Sequence, residues 1–331
     1  MTDPAALHTR LSGGPSPSAG KPQSEQRLSG GPSPSAGKPR SKHCGAGFLS
    51  QLTTWLRLSR LSNGLTIITN VIAGATLVRE PPFSSRTLIL SAALLAFYAA
   101  GMLLNDYMDR DIDRTERPDR PIPSGKLAPR RVLLYGSALL VLGMLGLLSL
   151  GESALIGGAI LVAFILIYNR IHKRTATGAL VMGLCRYMAY VIPVAALSEA
   201  YAPTVLLMPL IPAAYVVLVT LLARREAKSL SPPAIATLPL FLPPLAVLIM
   251  HGRLNIIAAT MALISLAWTS QALSPAFERP PRTGQSIGRL LAGICIIDAL
   301  VISLSGHMGA TIFALGAFLL TRQLQKLIPA S

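Results

Sequence analysis

Ten apolar runs divide the chain, at about 61–78, 87–107, 131–150, 153–169, 176–197, 203–223, 235–250, 254–273, 287–304 and 308–327. Most approach the roughly 20 residues that an α-helix needs to cross the hydrocarbon core of a bilayer. Apolar residues occupy most faces of each run, which predicts helices buried in lipid and in one another. The run at 235–250 is the weakest. It is short and carries Pro239, Pro243 and Pro244, so a broken or tilted helix is expected there. Just before the first run the pattern changes. Phe48, Leu49, Leu52, Trp55, Leu56 and Leu58 alternate with polar residues, flanked by Arg57 and Arg60. That pattern suits a short amphipathic helix lying in the membrane interface.

Composition agrees. Of 331 residues, 51% are hydrophobic and 13% charged, and the mean hydropathy is +0.53. The expected fold is all-α and polytopic, in a multi-pass integral membrane protein. A net charge of +16 raises nucleic acid as a partner. The basic residues instead sit in short loops between apolar runs, with no basic helix face, so nucleic acid is rejected. With the N-terminus inside and the runs alternating, twenty Lys and Arg fall in inside loops, against Arg79, Arg86 and Arg253 outside. That asymmetry places the N-terminus and the Asp-rich loops in the cytoplasm, as expected of a bacterial inner-membrane protein. Cys44, Cys185 and Cys295 form no CxxC pair and read as small packing residues. The five His are scattered and imply no zinc site.

Residues 1–47 form a separate region rich in Gly, Pro and Ser, ahead of a transmembrane domain at 48–331. RLSGGPSPSAGKP occurs twice, at 10–22 and 27–39. Two polar units of this kind bury no core, so disorder is expected. The tail shows no apolar core of a signal peptide. It reads as a dispensable extension or as a basic tether to anionic lipid.

The richest chemistry lies in Asn105 to Gly125, NDYMDRDIDRTERPDRPIPSG, which holds five Asp, one Glu and four Arg. Asp106, Asp109 and Asp113 recur at spacings of three and four. On a helix continuing from the second apolar run they share one face. Such like charges need a cation, and a hard divalent ion such as Mg²⁺ takes oxygen ligands of this kind. Arg110, Arg114, Arg117 and Arg120 lie among them, and carboxylates, metal and guanidinium groups together suit a diphosphate. A plain charged loop that only sets topology is the competing reading. It is disfavoured because the carboxylates begin inside the helical run, where charge is costly and usually functional.

Two further loops fall on the same side. In YNRIHKRTAT, Tyr168 ends an apolar run, and Lys173 and Arg174 follow. Both fit ordinary interface anchoring. Beside the Asp-rich stretch, Lys173 is also a candidate for neutralising a leaving diphosphate. In ARREAKSLSPP, Glu226 reads equally as a lone metal ligand or as a surface carboxylate paired with Arg224, Arg225 or Lys228. Inside the membrane Arg186 and Asp298 stand at comparable depths, and their cost there predicts that they pair or share a polar cavity.

NDYMDRDID resembles the first Asp-rich motif, N-D-x-x-D-x-x-x-D, of the UbiA superfamily of intramembrane prenyltransferases. RPIPSG, Arg120 to Gly125, resembles its continuation, and Tyr168 with Lys173 its Tyr-x-x-x-x-Lys loop. The resemblance spans about 55–327. It implies a bundle of nine, or here ten, transmembrane helices around a central cavity that opens to lipid. It also implies Mg²⁺-dependent transfer of a prenyl group from its diphosphate to a lipophilic, often aromatic acceptor. Asn105, Asp106, Asp109 and Asp113 would hold Mg²⁺, with Glu226 as a further ligand. Arg117, Arg120 and Lys173 would balance charge as the diphosphate leaves, with Tyr168 on the diphosphate or facing the allylic cation. The family's second motif, D-x-x-x-D, is replaced by ARREAK. That loss resembles the divergent EboC-like members more than the quinone-pathway enzymes, and keeps open a non-catalytic carrier, or an export or assembly subunit, for a lipid-soluble metabolite. Prenyl chain length would depend on cavity depth and on kinks at Pro193, Pro209 and Pro212. No protein partner is implied.

Overall fold

A computed structural model of the chain describes residues 53–173, 175–226, 233–252 and 255–327, with only the backbone of Glu226 and His251. The tail at 1–47, the first residues of the expected interface helix, Arg174 and Lys228 lie outside the described residues.

Each of the ten apolar runs falls on a helix. These are α1 (Leu65–Leu77), α2 (Ser85–Glu116), α3 (Pro129–Leu148), α4 (Glu152–Ile171), α5 (Gly178–Leu197), α6 (Leu210–Glu226), α7 (Leu242–His251), α8 (Ile256–Leu273), α9 (Thr283–Leu304) and α10 (Met308–Leu327). Among the described residues, seven helices are long and apolar enough to cross a membrane, and Leu61–Leu77 and Ala234–Met250 are shorter apolar helices. Length and hydropathy alone therefore do not fix a count of nine or ten. The proline-rich run splits, as its sequence predicts, into a 3₁₀ stretch at Ala234–Phe241 and the short α7.

Local signals set the helix ends. Ser84 caps α2 by accepting from Thr87 N, and Asn255 caps α8 by accepting from Ala258 N. Both satisfy a backbone donor that the helix itself leaves open. Helix α2 runs for 32 residues, well past its apolar part. It stops at Arg117, the residue before Pro118, where the proline ring disfavours helical backbone.

Helix α1 is central and buried over most of its length. It packs against α2, α5, α9 and α10, while α2 with α3, α4 with α5, α5 with α6, and α8 with α9 pack as neighbours. One core layer joins Val71, Leu90, Phe97, Leu161 and Ile192 across α1, α2, α4 and α5. A second joins Ile72, Val247, Met261 and Leu300 across α1, α7, α8 and α9. Gly74 lets α1 and α5 touch. A Cβ there would stand 2.7 Å from Tyr190 O and 3.0 Å from Pro193 Cβ, closer than packed atoms approach.

The described part of the expected interface segment, 53–58, is helical. Leu58 is buried with Leu103, Ile122, Leu127 and Val132, and the Trp55 ring meets Tyr135 edge-on at 4.9 Å. The segment thus clamps the loop that follows the Asp-rich helix.

Candidate active site

Asp106, Asp109 and Asp113 lie on one face of α2, and all are buried, at 6%, 5% and 1% exposure. Uncompensated, three buried carboxylates would be prohibitive. Arg120 and Lys173 compensate them. Arg120 Nη1 donates to Asp113 Oδ2 at 2.6 Å and to Asp106 Oδ1 at 3.3 Å. Lys173 Nζ stands 3.1 Å from Asp113 Oδ1 and 3.6 Å from Asp109 Oδ2. It also reaches Glu116 at 3.5 Å.

The RPIPSG loop aims Arg120. Turn bonds run from Arg120 N to Arg117 O, Ser124 N to Arg120 O, and Leu127 N to Pro121 O. Ile122 and Leu127 then bury their side chains against Leu58 and Leu103. The loop folds back over the end of α2, which lays the Arg120 guanidinium on the carboxylate face.

Lys173 is placed by the turn between α4 and α5. Gly178 allows that turn to close, since a Cβ there would stand 2.7 Å from His172 Cα. The same turn brings in His172 and Asn169, which the sequence alone did not single out. His172 Nε2 lies 3.1 Å from Asp109 Oδ2 and 3.3 Å from Asn105 Nδ2. Asn105 Nδ2 also donates to Asn169 Oδ1 at 3.3 Å. The Tyr168 ring stacks on His172 at 4.9 Å. Arg224 Nη1 donates to His172 O, so the end of α6 also borders the site.

The remaining candidates stand apart. Arg117 is exposed at the end of α2. Arg110 and Arg114 pair with the exposed Asp111, and Arg110 lies over the Tyr107 ring at 4.4 Å. Glu226 ends α6, and its side chain lies outside the described residues.

Three carboxylates are hard oxygen donors that fit a divalent cation such as Mg²⁺. Among the described residues no three acidic, His or Cys side chains converge as a ready metal cage. Arg120 and Lys173 hold the carboxylate oxygens instead, so a metal would have to displace them.

Next to this cluster lies a cavity of about 90 Å³ between α1, α2, α4 and α5. Ile67, Phe97, Leu161 and Ile165 give it apolar walls, and Tyr168, Asn169 and Arg186 reach it as polar groups. Tyr168 and Asn169 thus link the carboxylate cluster to the cavity.

A model of the UbiA prenyltransferase family matches residues 67–277. The chain belongs to this family. The digeranylgeranylglyceryl phosphate synthase of Ignicoccus hospitalis is 35% identical over 125 residues, 38% of this chain and 41% of that protein. That of Methanothrix thermoacetophila is 38% identical over 120 residues, 34% of this chain and 43% of that protein. The matched stretch therefore spans about two fifths of the length of these archaeal relatives. Two solved UbiA homologues share the fold. One from Archaeoglobus fulgidus bound to DMAPP and Mg²⁺ has a TM-score of 0.57 at 17% identity, covering 76% of this chain and 98% of that one. The apo homologue from Aeropyrum pernix K1 has a TM-score of 0.60 at 20% identity, covering 72% and 97%. This family member is thus an all-helical integral membrane protein.

Proposed function

We propose that the chain transfers a prenyl group from a prenyl diphosphate to a lipophilic acceptor within the membrane, with Mg²⁺ as cofactor. The observation that carries this is the buried Asp106–Asp109–Asp113 face, bridged by Arg120 and Lys173 and adjoining an apolar cavity. The names of the relatives and the diphosphate and Mg²⁺ bound to the Archaeoglobus homologue support the same reading.

On this reading Asp106, Asp109 and Asp113 would hold the metal. Bound there, Mg²⁺ would neutralise the diphosphate and ease its departure. Arg120 and Lys173 move from carboxylate to diphosphate oxygens, where they meet the charge that grows as the carbon–oxygen bond breaks. The diphosphate leaves with the bonding electron pair, and the allylic cation is captured by the acceptor, which then loses a proton. Tyr168 offers the face of its ring to that cation. The apolar walls exclude water that would otherwise trap it. The cavity is smaller than the roughly 300–1,000 Å³ of small-molecule pockets, so it takes the reacting end of a substrate and not the whole isoprenoid chain. The excess of Lys and Arg in the loops on that side supports a cytoplasmic position for the carboxylate end.

The test is Mg²⁺-dependent conversion of a labelled prenyl diphosphate by purified protein over a panel of lipophilic acceptors. Turnover that disappears in Asp106→Ala, in protein that remains folded, is the expected result. Tight Mg²⁺-dependent binding with no product on any acceptor would replace the transferase with a carrier.

A further inference from the structure

Inside the bundle the buried charges have partners. Arg186 and Asp298 do not touch, and Asn70 bridges them, donating from Nδ2 to Asp298 Oδ2 at 2.7 Å and accepting at Oδ1 from Arg186 Nη1. The outer side of α2 differs. There an apolar groove of about 540 Å³ runs between the segment at 53–59, α2 and α3. Trp55, Ala99, Leu103, Tyr135, Leu139 and Leu142 line it. It shares no lining residue with the cavity beside the carboxylates. Helix α2 separates the two, with Phe97 and Gly101 on the cavity side and Ala99 and Leu103 on the groove side.

On α3, Arg131, Tyr135, Ala138 and Leu142 recur at spacings of four, three and four, which puts them on one face. From Arg131 to Leu142 is about 16 Å along the helix at 1.5 Å per residue. That is close to the roughly 15 Å depth of one leaflet of the hydrocarbon core, so the groove has the length of one lipid chain lying along α3. The edge-on contact of Trp55 and Tyr135 at 4.9 Å sits at its mouth, and such rings are enriched at headgroup level. One turn beyond the mouth, Arg131 leans toward the start of α3, as helical side chains do. Arg130 and Lys126, exposed like Arg131, lie close by in the chain. Among the described residues none of these three cations is in an ion pair, and the first turn of α3 holds no acidic residue. Cations that only fix topology need no particular face. Arg131 continues the face that lines the groove, so its charge lies where the headgroup of a lipid in that groove would be.

We propose that the groove seats one chain of an anionic phospholipid, in the leaflet on the carboxylate side, with the Arg131 guanidinium on the headgroup phosphate. Apolar walls alone would take any lipid chain. Arg131, with Arg130 and Lys126 near it, adds the preference for a headgroup of net negative charge. Trp55, Leu103 and Leu139 also pack in the cluster of Leu58, Ile122, Leu127 and Val132, which holds the loop that carries Arg120. The lipid chain therefore lies against the outer wall of that clamp.

Quenching of Trp55 fluorescence by brominated lipid tests it. In a Trp268→Phe background Trp55 is the only tryptophan of the chain. The full chain is reconstituted in vesicles of equal parts phosphatidylcholine and phosphatidylglycerol, with bromine on the chains of one lipid or of the other, so that surface charge is the same in both. Brominated phosphatidylglycerol quenches Trp55 more strongly, with a relative affinity about fivefold in its favour, as one basic residue near a membrane surface supplies. Arg131→Gln removes the preference. Arg57→Gln, at an exposed position outside the groove lining, keeps it. Ala138→Phe, which fills the groove, lowers quenching by both lipids. Equal quenching by the two lipids, a preference that survives Arg131→Gln, or quenching unchanged by Ala138→Phe overturns the proposal. So does the absence of quenching by either lipid, which would show the groove covered by another part of this chain or by a second copy of it.

Discussion

Replacing Asp298 with Asn tests how the bundle carries its buried charge. Asp298 is fully buried and accepts three hydrogen bonds, from Thr69, Asn70 and Tyr190. The amide has nearly the same shape, so packing is preserved and only charge and donor count change. Its oxygen can still accept from Tyr190, but its new NH₂ group then faces the donors Thr69 and Asn70. Thr69 can turn to Thr66 O, 3.1 Å away. Asn70 has no such freedom, because its oxygen holds Arg186 and its nitrogen already reaches Tyr190. One charge-assisted bond is lost and one buried donor is stranded, for a cost of about 3 kcal/mol.

For a domain of this size that corresponds to a fall of about 6–12 °C in apparent melting temperature. Unfolding of a membrane protein is compared at one scan rate, since it is often irreversible. Arg186→Leu on the same background removes the cation that has lost its counter-charge. The double variant is then more stable than the sum of the single losses by about 1 kcal/mol, as expected within one hydrogen-bonded network. A shift under 1 °C in Asp298→Asn, or strict additivity in the double variant, would refute the argument that Asn70 couples the two charges.

Two further outcomes follow from the same geometry. His172→Ala removes the contacts to Asp109 and Asn105 and the ring that stacks on Tyr168; turnover should fall about 10–100-fold, as when groups that orient metal ligands are lost, and steady-state kinetics with Mg²⁺ titration would show an unchanged rate if the residue only packs. A single cysteine at Ser124 should react with a membrane-impermeant maleimide only from the cytoplasmic face, and labelling from outside would reverse the orientation drawn from loop charge.

Much of the architecture was legible because lipid-scale apolar runs are long and chemically uniform. Each of the ten runs fell on a helix, and the prolines at 239, 243 and 244 marked the broken one. The three-four spacing of Asp106, Asp109 and Asp113 likewise indicated one helix face, because a helix repeats every 3.6 residues. What spacing does not show is which cation comes back to that face. Of Arg110, Arg114, Arg117 and Arg120 the family resemblance marks Arg117 and Arg120 alike, yet only the turns after Pro118 bring Arg120 onto the carboxylates and leave Arg117 in solvent. His172 was passed over as one of five scattered histidines. Its signal was local, one helical turn after Tyr168 and next to Lys173. The bridge from Arg186 to Asp298 was less visible still. Asn70 and Thr69 lie far from both in sequence, on an apolar helix where polar residues are unremarkable until packing shows what they touch.

The charge balance of the cluster bears on how a donor enters. The Asp106, Asp109 and Asp113 carboxylates meet Arg120 and Lys173 in ion pairs, and Arg60 acts on Asp106 as a further cation. A bare diphosphate that meets the carboxylate face itself would be repelled, and more strongly than in water because the carboxylates are buried. It enters only with positive charge of its own, or by drawing Arg120 and Lys173 away from Asp113. The second route alone would strand Asp113, which is 1% exposed and has these two cations as partners. Arrival with a divalent cation meets both demands, since the cation takes over the carboxylates as the two side chains turn to the phosphate. On the proposed reading, metal and donor therefore bind together, and the ion pairs of the resting site keep three buried carboxylates on one helix face until they do.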